Sequence, residues 1–288
     1  MNFPDYFADA ESSFDQSDFI IFGVPYDKTT SFRPGAALGP SKIREASWNF
    51  ETYNLRSGFD LRDVRCHDFG DIDVKADSPG DMIRKVTNFT SNILSKNKFP
   101  IGIGGEHSIS SGIIYAFPRD ISVICLDAHI DYREIYENET FNHACTVKRI
   151  SDHVDIKNIA VLGIRSAEKD EFLQAKKDGL FFTDAEKIRE IGIKKTLEKT
   201  KTYLKAKKIY LSLDIDVIDP AFAPGVSTPE PFGLHPLDIV EVISFFSKEM
   251  VGFDVTEVCP TFDNGQSAIL AAKFVRILME KISLINND

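Results

Sequence analysis

The sequence predicts an α/β domain built on a parallel sheet, and two observations carry that reading. Short apolar runs of strand character recur along the chain, each followed by a polar or glycine-rich loop and then a helical pattern. One such run, Ile121-Ser122-Val123-Ile124-Cys125-Leu126, is apolar almost without interruption, as expected of a strand covered on both faces.

Taken in order, a strand over residues 18–23 opens the pattern. The loop over residues 23–40 then holds three prolines and three glycines, and loops of that length in compact domains are often functional. Pro40 suits the first turn of a helix beginning Ser41-Lys42-Ile43. Further strands are expected at 99–103, 121–126, 158–163, 208–213 and 251–255, with amphipathic helices at 81–96, 167–177, 236–248 and 267–285. No repeat, low-complexity tract or linker divides the chain, so residues 1–288 read as one domain, with an acidic, loosely held segment at 1–17.

Composition narrows the partners. With 43% hydrophobic and 27% charged residues, the chain can bury a sizeable core. A net charge of -10 excludes nucleic acid and anionic membranes as partners and suits a cationic small molecule. Cys66, Cys125, Cys145 and Cys259 form no C-x-x-C pair, which fits free thiols in a reducing cytosol. There is no signal-peptide pattern at Met1 and no run near the roughly 20 apolar residues that span a bilayer. A cytoplasmic protein is expected.

Four of the expected strands run directly into polar clusters: Gly104-Gly105-Glu106-His107-Ser108, Asp127-Ala128-His129-Ile130-Asp131, Asp214-Ile215-Asp216 and Thr256-Glu257-Val258. Ligands of open parallel sheets bind beyond such carboxyl ends. If the backbone stays extended, Asp127, His129 and Asp131 share one side, as do Asp214 and Asp216. Converging carboxylates repel one another unless a cation compensates them. His107 brings the candidate metal ligands to six: His107, Asp127, His129, Asp131, Asp214 and Asp216. That set exceeds the needs of one catalytic ion and suits two ions sharing carboxylates, with manganese favoured over iron or zinc by the oxygen-rich donors.

These residues resemble the ureohydrolases, the arginase and agmatinase family. The matching segments are GGEHS (104–108), DAHIDYR (127–133), SLDIDVIDPAFAPGVSTPEPFGL (212–234) and DVTEVCP (254–260), while GVPYDKTTSFRPGAALGPSKIREAS (23–47) is similar to the agmatinase branch. The resemblance implies a three-layer α/β/α fold around a mostly parallel eight-stranded sheet and a binuclear manganese centre. It assigns one ion to His107, Asp127, Asp131 and Asp214 and the other to His129 and Asp216, with Asp127 and Asp214 bridging. Two such ions would generate hydroxide from bridging water near neutral pH, and Asp131 would orient it and take its proton. Glu257 resembles the glutamate that pairs with guanidinium, and His143 the proton shuttle, a role suited to a near-neutral pKa.

Other residues read more plainly. His67, His153 and His235 are expected to cap or satisfy local groups, Asp219 to sit in a turn, and Cys145 and Cys259 to be packed thiols. Glu106 divides equally between supporting the metal site and starting a helix. Residues 225–230 read as a wall of the pocket, and Arg133 as a structural partner of acidic neighbours such as Glu134 and Glu137. Arginases typically carry an asparagine and a histidine-glycine pair where this chain has Arg133 and His143-Ala144, so the resemblance favours agmatine, cleaved to putrescine and urea. Aminopropylagmatine and guanidinobutyrate stay open, with arginine behind them. A zinc deacetylase of the same fold and a non-catalytic binding protein are the rivals from other classes. By family analogy the chain is expected to form a homo-oligomer, trimer or hexamer.

Overall fold

The computed structural model describes residues 3–286. In chain order the elements are β1 (Phe19–Val24), α1 (Gly39–Ser47), β2 (Cys66–Asp71), α2 (Pro79–Ser95), β3 (Phe99–Gly104), α3 (Ile109–Ile114), β4 (Ser122–Leu126), α4 (Thr146–Ser151) and β5 (Ile159–Ile164). They continue with α5 (Lys169–Asp178), β6 (Phe181–Asp184), α6 (Ala185–Ile191), α7 (Ile193–Tyr203), β7 (Ile209–Asp214), α8 (Pro236–Phe246), β8 (Met250–Thr256) and α9 (Gln266–Asn286). The eight strands form one sheet in the order β2-β1-β3-β8-β7-β4-β5-β6. Every strand pairing is parallel, so the sheet is more uniform than the mostly parallel one expected.

The strands alternate their side chains into two cores, one on each face. On β1, Phe19 and Ile21 enter the first core while Ile20, Phe22 and Val24 enter the second. On β4, Ile124 and Leu126 oppose Val123 and Cys125 in the same way. Ile43 of α1, Val242 of α8 and Val275 of α9 close the first core; Met82 of α2, Ile113 of α3 and Val147 of α4 close the second. Burial on both faces is why the central strands read as continuous apolar runs. Among the described residues, no helix is long and apolar enough to cross a membrane.

The two strands outside the expected set, β2 and β6, are the two edges of the sheet. Only Cys66 of the six residues of β2 is buried, and none of the four residues of β6 is. An edge strand faces solvent on one side and needs no apolar run. The short helices α3 and α4 and the pair α6 and α7, divided at Gly192, also lie outside the expected set.

Residues 3–17 are fastened rather than loosely held. Phe7 is fully buried, its N–H donates to Asp68 Oδ2 at 2.7 Å, and the Ala8 N–H donates to Ser47 Oγ at 2.8 Å. Asp9 Oδ2 accepts from the buried Arg276 Nη1 at 2.8 Å, so this segment neutralises a guanidinium in the core. Three apolar side chains, Phe7, Ala8 and Ala10, outweigh the acidic composition that suggested disorder. Met1 and Asn2 lie outside the described residues.

Gly105, just past β3, sets the spacing between the central strands and the 23–40 loop. A Cβ there would lie 1.9 Å from Tyr26 O, because the backbones of Gly105 and Tyr26 touch. Around that contact the Gly105 N–H donates to Val24 O, Glu106 N–H to Tyr26 O and Glu257 N–H to Gly105 O. Gly105→Ala is therefore expected to lose about 1–3 kcal/mol of stability in urea denaturation, the usual range for overpacking. An unchanged midpoint would show that the contact gives way freely.

Candidate metal centre

The four strands that run into polar clusters, β3, β8, β7 and β4, are consecutive in the sheet. Their carboxyl ends therefore deliver His107, Glu257, Asp214 with Asp216, and His129 with Asp131 to the wall of one cavity of about 230 Å³, and Asp127 is grouped with His107, Asp214, His129 and Asp216 behind it. His143, Arg133 and Thr228 also line it, with Ser31, Glu168 and Glu171 among others; Thr228 comes from the 225–230 loop.

Turns, not continued strands, bring the side chains together. β4 ends at Leu126, so Asp127 to Asp131 is irregular, and Asp131 has the left-handed φ of 48°. The Asp127 carboxylate folds back to accept the His129 N–H at 2.6 Å. Asp214 closes β7, and Asp216 sits in the 3-10 turn Ile215–Val217 that Asp214 caps through the Asp216 N–H at 2.9 Å. The simple alternation of an extended chain is thus replaced by two carboxylate-capped turns.

The resulting donors form two groups that share Asp127. His107, Asp127 and Asp214 make one; Asp127, His129 and Asp216 make the other, each with its donor atoms within 4.8 Å of one another. His107 Nδ1 lies 3.0 Å from Asp127 Oδ2, 3.0 Å from Asp131 Oδ2 and 3.5 Å from Asp214 Oδ2. His129 Nδ1 lies 2.9 Å from Asp216 Oδ2 and 3.6 Å from Asp127 Oδ1. Asp127 Oδ2 is buried with no hydrogen-bond partner. A fully buried carboxylate oxygen left unpaired beside imidazole nitrogens is what a divalent cation would satisfy, and the oxygen-and-imidazole set suits such an ion.

The opposite nitrogen of His107 faces a chain of groups the sequence reading passed over. Its Nε2 lies 3.2 Å from Ser212 Oγ, and Ser212 donates to Asp254 Oδ1 at 2.8 Å. Asp254 is fully buried and also accepts from Ser110 Oγ and Tyr210 OH. Such a partner holds an imidazole ring with its other nitrogen turned to the ligand cluster. Asp254 sits in the quoted DVTEVCP segment, and its place on a buried strand was the available signal.

On protein charges alone the cluster keeps its protons. Burial, reinforced by Asp127, lifts Asp131 to about 7. Burial, with the charge of Asp216 and Asp127, lifts Asp214 well above the carboxylate range. Burial also lifts Glu257 to about 8. Burial opposes the charge on His107 and His129, but their carboxylate neighbours win and hold both imidazoles protonated well above the usual range. Burial would raise Asp127 too, yet those two histidines keep it below its usual value. For His143 burial dominates and lowers it to about 4, not the near-neutral value expected.

Glu257, like Asp131, has a left-handed φ, here 62°. Its Oε1 accepts the His107 N–H at 2.7 Å and its Oε2 is buried without a partner. Arg133 pairs with Glu171 at 3.3 Å and lies over the Tyr136 ring at 4.5 Å, while Glu134 is taken by Arg149 and Lys148. Pairing is therefore the role of Arg133, with a different partner from those expected. Among the described residues Glu106 hydrogen-bonds none of the candidate ligand side chains; it accepts from Thr29 and Ser108. His67 and His153 contact the Ser12 and Phe117 carbonyls, His235 caps α8, and Asp219 accepts from Ala221 and Gly233 N–H in its turn. Cys145 and Cys259 are buried, and burial pushes their thiols up to about 12 and about 11, away from reactivity.

The profile of the arginase family matches residues 17–280. The chain belongs to the arginase family. It is 34% identical over 280 residues to the agmatinase of Bacillus anthracis, covering 95% of this chain and 94% of that one. It is 35% identical over 265 residues to the N(1)-aminopropylagmatine ureohydrolase of Thermococcus kodakarensis, covering 91% and 89%. The crystal structure of the agmatine ureohydrolase of Thermoplasma volcanium superposes with a TM-score of 0.94 at 35% identity, over 100% of this chain and 97% of that one. These matches place the chain in the agmatinase branch, among hydrolases acting on C–N bonds of guanidino compounds. The family is one of binuclear metal enzymes, which fits the paired donor groups.

The raised groups fix the sign of a pH dependence. Asp131 and Glu257 hold protons in the folded state up to about 7 and about 8, whereas unfolded carboxyls lose theirs near 4. The stability they contribute is complete below about pH 4 and is lost as pH rises through those values. His107 and His129, also raised, act in the same direction above their unfolded pKa. Chelator-treated protein should therefore show a falling Tm between about pH 4 and 8, and Glu257→Gln should flatten the fall. A divalent ion should raise Tm most at the upper end, because it replaces those protons. A Tm of the metal-free protein that climbs across this window would contradict the charge assignment.

Proposed function

We propose that the protein is an agmatinase, hydrolysing agmatine to putrescine and urea with two manganese ions, in the cytosol. The observation that supports this most directly is the pair of donor groups that share Asp127 and whose other members line one cavity with Glu257 and His143. His107, Asp127, Asp131 and Asp214 would hold one ion, and His129 and Asp216 the other, with Asp127 and Asp214 shared. Two bound ions supply a nucleophile by lowering the pKa of water to near neutrality.

The protein's own groups then handle the substrate and its protons. Glu257 Oε2, buried and unpartnered, offers the planar guanidinium an acceptor that is charged once bound cations displace the proton burial leaves on it. Asp131, beside His107, is placed to hold the proton of the attacking water. His143, which lines the same cavity, returns a proton to the leaving amine. Neutral His143 takes that proton from solvent at Nε2 before delivering it, and Asp131 releases the proton of the attacking water to solvent, so both groups end as they began.

Charge favours an amine tail. Beyond the proposed ligands and Glu257, Glu168 and Glu171 in the lining outnumber Arg133, whose guanidinium is already engaged by Glu171 and Tyr136. That balance suits the terminal ammonium of agmatine over the carboxylate of guanidinobutyrate. Aminopropylagmatine, the substrate named for the Thermococcus relative, carries an amine tail too and is the second reading.

Manganese-loaded protein should release urea from agmatine with a kcat/KM at least about tenfold above arginine and guanidinobutyrate, one such step being worth about 1.4 kcal/mol. A preference for aminopropylagmatine would move the substrate within the same chemistry. One tightly held zinc per chain would favour a deacetylase, and no urea from any of the four compounds would favour a binding protein. Asp127→Ala should lose both ions and turnover together, while Glu257→Gln should keep the ions and lose about 10²-fold in kcat/KM.

A further inference from the structure

We propose that Glu106 and Thr29 act as positioning residues that fix the tautomer of His143, keeping the proton on Nδ1 and leaving Nε2 as the atom that exchanges protons in the cavity. The inference rests on the reading of His143 as the proton carrier.

Glu106 is fully buried and accepts three bonds: from Thr29 N–H at 2.7 Å, Thr29 Oγ1 at 2.6 Å and Ser108 Oγ at 2.6 Å. A hydroxyl has one proton to give, and that of Thr29 is committed to Glu106. Toward every other neighbour Thr29 Oγ1 can only accept. It accepts the backbone N–H of His143 at 3.0 Å, and His143 Nδ1 lies against the same oxygen at 3.3 Å. Two acceptances and one donation exhaust that oxygen. The opposite tautomer would set a bare nitrogen lone pair against an oxygen lone pair, with no proton between them.

On the other side of the ring, Nε2 lies 3.4 Å from Ser31 Oγ. Ser31 is exposed and lines the cavity, so its hydroxyl rotates freely: it donates to Nε2 at rest and turns away when an amine arrives. Thr29 and Ser31 both come from the 23–40 loop, which Asp27 braces by accepting the Gly35 N–H at 2.8 Å. The loop thereby reaches the chemistry through His143 while contributing no metal-ligating residue. Glu106, which among the described residues hydrogen-bonds none of the candidate ligand side chains, acquires a role on the shuttle side of the site. The side chain of His143 is itself largely shielded, and burial keeps the imidazole neutral at working pH, so one tautomer must be chosen.

The test is the nitrogen spectrum of ¹⁵N-histidine-labelled protein loaded with diamagnetic zinc, the His143 signals being assigned by their loss in His143→Asn. Near neutral pH the expected pattern is a protonated Nδ1 and a bare Nε2. Thr29→Val, which keeps the shape and removes the hydroxyl, should give mixed tautomers and lower kcat at least about tenfold with KM within about twofold; Thr29→Ser should restore both. Glu106→Gln, whose amide can donate to Thr29, should move the balance toward the opposite tautomer. A native protein carrying its His143 proton on Nε2 overturns the inference, as does a folded Thr29→Val variant with unchanged tautomer and kcat. If Thr29→Val fails to fold, the native spectrum and Thr29→Ser decide. The expected spectrum in a protein that releases no urea from any guanidino compound would support the hydrogen-bond assignment and remove the proposed function instead.

Discussion

The structure depends on the burial of like charges. Asp131, Asp214, Asp216 and Glu257 are buried around one cavity with Asp127 buried against them, and the sheet brings them there by placing four strand ends side by side. Carboxylates so placed either take up protons or share a cation. The shifts of Asp131, Asp214 and Glu257 show how far the protein alone must go toward the first solution. A pair of divalent ions is the second, and the unpartnered oxygen of Asp127, common to both donor groups, marks where they would be shared.

Holding that arrangement takes backbone conformations that side chains resist. Asp131 and Glu257 both adopt left-handed φ values, which cost about 1–3 kcal/mol each unless the surroundings impose them. The surroundings here are specific. Glu257 is tied through its N–H to Gly105 O, and Asp131 accepts the Lys148 N–H at 3.2 Å. Gly105 can serve as that tie because, lacking Cβ, it lies directly on the Tyr26 backbone. Glu257, the glycine and the loop beyond Tyr26 are therefore one mechanical unit, while Asp131 is held separately from α4.

The central strands and the polar residues gathered at their ends were legible in the sequence for a common reason. A strand buried on both faces must be apolar throughout, so the polar residues that break the run, such as Asp127 after Leu126 and Asp214 after Leu213, stand out. Edge strands β2 and β6 lack that contrast and were invisible. The convergence of Asp127, His129 and Asp131 was expected from strand alternation but arises from carboxylate-capped turns, which no period reveals. Arg133 illustrates another limit: pairing was foreseen with sequence neighbours, whereas its partner Glu171 lies on α5. Glu106, Thr29 and Asp254 act through hydrogen bonds across tens of residues of chain, and their types alone do not announce it.

The low pKa of His143 is at first sight awkward for the proton carrier proposed above, since general acids and bases work best near the ambient pH. The substrate resolves the difficulty. A guanidinium ion enters with its charge, and an imidazolium already present in the cavity would repel it. A neutral imidazole does not. Once protonated, a buried imidazolium is a strong acid that surrenders its proton readily to a leaving amine. The hydroxyl of Thr29, with its own proton held by Glu106, keeps the ring oriented through both states, because it accepts from Nδ1–H whether or not Nε2 is charged.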